Sequence, residues 1–167
     1  PADDSTALDS LDELSRSAAS KKKATAESVK PVLARIGHIS SVGNNASTIM
    51  KSEGDVNLTE LTGVVIDKML SLEAPEESES DSKREKRERE LEECREILPM
   101  AFTAIANLAR AAPFERTLDR TIDQVGVALA RGIAVSECLD AVRSIAGSSE
   151  AAAAAVAASK DGAIVRD

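Results

Sequence analysis

Residues 91–112 read Leu91-Glu-Glu-Cys94-Arg-Glu-Ile97-Leu98-Pro99-Met-Ala101-Phe102-Thr-Ala-Ile105-Ala-Asn-Leu108-Ala-Arg-Ala-Ala112. Leu91, Leu98, Ile105 and Ala112 recur every seven residues, and Cys94, Ala101 and Leu108 do so on the neighbouring line. Two apolar lines at this spacing mark one face of an α-helix. Ile97, Phe102 and several alanines widen the stripe beyond a two-helix seam, to a width that suits the centre of a bundle. Upstream, Lys83–Glu90 carries pairs such as Glu85–Arg89 and Lys86–Glu90 one turn apart, which favour the same helix. The pattern predicts a helix over about 83–112, with Pro99 removing one backbone donor and bending it.

The flanking sequence repeats the helical period. Leu8, Leu11, Leu14 and Ala18 place an N-terminal helix at about 5–20, within an arm of residues 1–27. Val29, Val32, Leu33, Ile36 and Ile39 place another at about 28–42, with Gly43-Asn44-Asn45 read as its stop and Thr48–Met50 as a short turn. Asn57-Leu-Thr-Glu60 resembles a capping box, and Leu58, Leu61, Val64, Val65, Met69 and Leu72 follow it up to Pro75. Residues 74–82 form an acidic polar linker whose composition predicts disorder. Beyond Pro113, Leu118, Ile122, Val125 and Leu129 predict a helix over about 115–131 closed by Gly132. Leu139, Val142 and Ile145 predict one over about 136–146, with Ser136 as its cap. An alanine run from Ser148 to about Lys160 forms a last helix, ahead of an extended tail at 163–167.

No segment alternates apolar and polar residues over a strand's length, and Phe102 and Phe114 are the only aromatic residues. A sandwich or barrel, which fills its interior with aromatic and β-branched side chains, is disfavoured. The reading is all-α: one domain over residues 1–167, a bundle of about four longer helices with two small C-terminal helices. At 167 residues the chain is long enough to bury a single core. No run of about 18 apolar residues is present to span a membrane.

The net charge of −8 is uneven. Residues 73–96 carry eleven acids and six bases, and residues 1–20 contribute −4. Such a chain is a poor ligand for nucleic acid or an anionic membrane, and its acidic linker calls for a basic partner surface. The residues from Ala130 to Asp140 resemble the start of a helix-turn-helix, but the alanine helix that follows has no side chains able to read bases. His38 has Ala34 and Val42 at the positions one turn away, where a carboxylate would orient a general base. Cys94 and Cys138 fall on or near apolar faces, so buried inert thiols are expected rather than a disulfide or a reactive thiol. Two cysteines and one histidine fall short of a structural zinc set. Asn45-Ala-Ser47 and Asn57-Leu-Thr59 match the glycosylation sequon, and helix capping accounts for the second.

These features specify no catalytic residue, cofactor or metal. They point to a non-enzymatic structural or assembly protein, a subunit of a larger complex, with a viral or phage particle as one setting. A helical DNA-binding transcription or replication regulator is the alternative, and a small enzyme completed by a partner chain the third reading. The partners expected are other protein chains, as a homo-oligomer or a hetero-assembly. The contact face expected is Leu91, Ile97, Leu98, Phe102, Ile105, Leu108, Val64 and Met69, because the alanine-rich C-terminal helices offer little area to cover so wide a stripe. The absence of a visible signal peptide favours the cytoplasm or a particle interior.

Overall fold

The computed structural model describes residues 25–41, 43–51, 53–74 and 78–158, together with Asp9, Asp12, Glu13 and Arg16. The described residues form α1 (Ala26–Ile39), α2 (Gly43–Lys51), α3 (Gly54–Leu72), α4 (Asp81–Ala111), α5 (Leu118–Ala130), α6 (Val135–Ala146) and α7 (Glu150–Ala158). Helix accounts for 83% of them and none is in a strand, so the chain is all-α. The N-terminal helix at 5–20 and the tail at 163–167 lie outside the described residues, except that Asp9, Asp12, Glu13 and Arg16 are helical and Arg16 pairs with Asp12 one turn back.

Local sequence sets most boundaries. Thr25 and Ser28 form a reciprocal capping box: Thr25 Oγ1 accepts from the Ser28 amide at 3.1 Å and Ser28 Oγ from the Thr25 amide at 3.0 Å. Ser80 Oγ accepts from the Lys83 amide to start α4. Gly132 closes α5 in the left-handed region at φ 66°, with its amide on Leu129 O and the Ile133 amide on Ala128 O. This is the Schellman arrangement, and glycine meets its backbone requirement without a Cβ clash.

Three boundaries differ from the sequence reading. Gly43-Asn44-Asn45 does not end helical structure; it opens α2, which extends the expected turn at Thr48–Met50 to nine residues. Helix α3 begins at Gly54, ahead of the box-like Asn57, with Glu53 left-handed at φ 61° as its N-cap. A Cβ on Gly54 would come within 2.3 Å of Ile49 Cγ2 and 2.6 Å of Ile49 O, so the tight α2–α3 corner requires glycine there. Ser136 is not the cap of α6 either; Ala134 holds that position at φ 50° with no side-chain bond.

Helix α4 is the central helix, packed against α1, α2, α3 and, most extensively, α6. Pairs such as Lys30–Glu96 and Gly37–Asn107 advance together along both chains, so α1 runs parallel to α4. Helix α5 lies on α3 and α6, and α7 on α6 and α5. The expected contact face is thereby relocated. Ile97, Leu98, Phe102, Ile105, Leu108 and Met69 are fully buried, Leu91 is 7% exposed, and Val64 is half-buried against the core. All but the half-buried Val64 lie within the chain's own core. The reason is that Ala101, Ala104, Ala106 and Ala109 of α4 are buried with Cys138, Ala141 and Ile145 of α6. Small side chains on α4 let its axis and that of α6 approach closely, so the short α6 covers a wide stripe by proximity.

The acidic linker is pinned at its end. Glu79, half-buried, accepts from Arg87 Nε at 2.9 Å and Nη2 at 3.2 Å, while Arg87 Nη1 reaches Leu72 O at 3.4 Å. Glu73 binds Arg131 Nε at 2.7 Å, and that hydrogen bond holds its carboxyl below the usual range. Both acids are therefore neutralised within the chain. No helix among the described residues is long and apolar enough to cross a membrane.

Candidate functional site

The outer seam between α1 and α4 carries two adjoining concavities. The first, of about 340 Å³, is lined by Leu33, Ala34, Gly37 and His38 of α1 and by Pro99, Met100 and Thr103 of α4. It is mostly apolar because α1 presents small residues there and Pro99 and Met100 are only half-buried. Gly37 sits where a Cβ would touch Met100 O at 3.7 Å, which keeps the two backbones close. The Lys30–Glu96 ion pair at 3.8 Å bridges the helices at one end. At the other end Asn107 Nδ2 donates to Gly37 O at 3.3 Å and to Ser40 Oγ at 3.2 Å.

Beyond Asn107 the second concavity opens, about 430 Å³ in volume. Its walls are Ser40 and Ser41 after α1, Asn44 and Ser47 of α2, and Asn107, Arg110 and Ala111 of α4. Arg110 is the charged residue in this lining, and no acid accompanies it there. Its guanidinium donates to Asn107 Oδ1 at 2.9 Å and reaches Asp140 and Ser144 only at 3.4–3.5 Å. It is half-exposed and forms an ion pair with Asp140 at 3.4 Å. The two concavities share no lining residue, but along α4 they follow one another from Pro99 to Arg110, a stretch of about 16 Å at 1.5 Å per residue, hereafter the track.

The polar seam between α3 and α5 is of another kind. Asp55, 1% exposed, is held by Arg116 through Nη2 at 2.6 Å and Nε at 3.3 Å. Arg120 pairs with Glu60, and Gln124 Nε2 donates to Thr59 O at 2.9 Å beside a Thr59–Thr121 hydroxyl pair at 3.2 Å. Gln124 Oε1 is buried and meets no donor. These contacts tie α5 to α3 in register.

His38 is exposed, on the rim of the apolar groove. Cys94 and Cys138 are both buried and free. Burial pushes the Cys138 thiol up to about 12, with Glu137 adding to it, and burial raises that of Cys94 against the opposing Lys68. Because the folded value of Cys138 lies above its ordinary 9.0, the neutral thiol is the native form. The stability this contributes is full below pH 9 and is lost as pH rises towards 12. Both thiols should resist a thiol reagent at pH 8 in the folded chain and react fully once it is unfolded, as a colorimetric thiol count will show.

Sequence reasoning missed the track. Ala34, Gly37, Pro99, Met100 and Thr103 form no motif, and the one signal for them is the pairing of small residues on α1 with a proline on the facing helix. No protein-family model, curated protein or solved structure matches the chain.

Proposed function

We propose that the chain is a non-enzymatic structural or assembly protein, a subunit of a larger complex, that makes its contacts with other protein chains through the α1–α4 track. A viral or phage particle is one setting for such a subunit. The observation that supports this reading is the track itself: apolar over Leu33, Gly37, Pro99 and Met100, polar beyond Asn107, with Arg110 at its far end. Recognition of a helix in a groove uses this chemistry, with apolar anchors for affinity and a charged contact for register.

The test is mass in solution, by light scattering and native mass spectrometry over a concentration series. The chain should form species larger than one copy, and Ala34→Glu, an exposed substitution inside the groove, should shift them towards the monomer. A compact monomer at every concentration that binds no apolar-surface dye would overturn the proposal.

A further inference from the structure

We propose that the partner on the α1 wall of the track is a second copy of this chain, its α1 antiparallel to the first across a two-fold axis; the inference rests on the assembly reading above. Among the described residues of α1 the exposed ones are Glu27, Pro31, Ala34 and His38. They form one line, and Val29, Leu33, Ile36 and Ile39 are buried on the opposite side. The spacings along the line are four, three and four residues, so it reads the same from either end. Two copies laid antiparallel bring Glu27 opposite His38 of the second copy and Pro31 opposite its Ala34. The two-fold axis makes each contact twice.

Charge favours that arrangement. Glu27 stands in the first turn of α1 and His38 in its last. A parallel pair would set carboxylate against carboxylate and imidazole against imidazole. The antiparallel pair sets a carboxylate against a ring N–H donor at both ends, and opposes the two helix dipoles as well. Pro31 has no amide to give to the Glu27 carbonyl one turn back, which leaves that oxygen as a second acceptor for the same imidazole. Lys30, beside the line, is paired with Glu96 of its own chain at 3.8 Å.

Shape and position agree with it. Between the two ends the line holds only Pro31 and Ala34, whose small side chains let two backbones approach closely. Ala34 and His38 also line the apolar groove, so a second copy on this line adjoins Pro99 and Met100, which the chain's own helices leave half-buried. Helix α1 has 14 residues, about 21 Å. Contact over so short a helix falls below the ordinary interface of about 800 Å² per partner, and the pair should dissociate in the micromolar range.

Cross-linking of the full-length chain tests the geometry. Cys94 and Cys138 are buried, so a cysteine placed on the outer line of α1 is the reactive thiol. Glu27→Cys and His38→Cys are prepared separately and treated with a short bismaleimide, alone and mixed. In the antiparallel pair equal positions lie about 16 Å apart along the axis, while position 27 of one copy faces position 38 of the other. The mixture should therefore give severalfold more covalent dimer than either chain alone, and its mass should be that of one chain of each kind. The mixed pair also keeps one native Glu27–His38 contact.

A charge exchange tests the chemistry. Glu27→Lys and His38→Glu, both at exposed positions, should each raise the dissociation constant severalfold, and the two substitutions in one chain should restore it. Circular dichroism of each variant checks that the helices are intact. Cross-linking no stronger in the mixture than in the single chains overturns the proposal, and so does a double variant no better associated than the single ones. Larger species with either of those results defeat the α1 pairing and leave the assembly reading standing; a monomer at every concentration defeats both.

Discussion

Replacing Phe102 by alanine lowers the stability of the fold by about 3–5 kcal/mol, the largest single effect expected in this chain. Phe102 is fully buried on α4, the helix that touches α1, α2, α3 and α6, so the void it leaves borders several elements at once. The neighbours cannot collapse into that space, because Leu98 and Ile105 on the same face are fully buried and already committed to other contacts. The loss is therefore transfer free energy plus cavity, with little recovered by relaxation. Leu98→Ala and Ile105→Ala follow the same argument at about 2–5 kcal/mol each. Urea unfolding followed by far-ultraviolet circular dichroism measures all three, and the midpoint should fall with little change in slope. A change below about 0.5 kcal/mol for Leu98 would mean that α4 has a different register from the one described.

The same residues show what sequence can and cannot settle. The heptad lines through Leu91 and Cys94 placed α4 and its buried face, because a period of side chains is a local property of one helix. They also showed that this face was too wide for one neighbour. They could not say whose surfaces covered it, since a stripe's width counts neighbours without naming them. The short α6 covers α4 because the alanines of α4 itself, Ala101, Ala104, Ala106 and Ala109, let it come close. A like ambiguity moved the start of α2: glycine and asparagine serve either end of a helix, and Gly43-Asn44-Asn45 is equally good punctuation for both. Gly54 is fixed by the close approach of Ile49, a corner that no period encodes. The track was the least legible feature, because it is defined by where Ala34 and Gly37 end up relative to Pro99, and side chains that are absent carry no hydrophobic signal.

The second large effect lies on the α3–α5 seam. Arg116→Ala should cost about 1.5–3 kcal/mol, the range for hydrogen bonds to charged groups. The cost arises at its partner. Asp55 is 1% exposed and takes two hydrogen bonds from the guanidinium, so removal of the arginine leaves a carboxylate in the interior with its main donors gone. Two features hold the cost below that of a fully buried pair. Arg116 is half-exposed, so part of the attraction is screened by water. Asp55 also stands in the first turn of α3, where free amides and the positive end of the helix dipole favour an anion. Arg116→Lys should recover only part of the loss, because an ammonium keeps the charge but cannot match both oxygens at once. A double-mutant cycle with Asp55→Ala isolates the pair: the double variant should be less destabilised than the two single losses added together, since removing the carboxylate as well removes the unpaired buried charge. Strict additivity in that cycle would show that the helix start and solvent satisfy Asp55 by themselves, and that α5 is held on α3 by Ile122, Val125 and the Gln124–Thr59 contact instead.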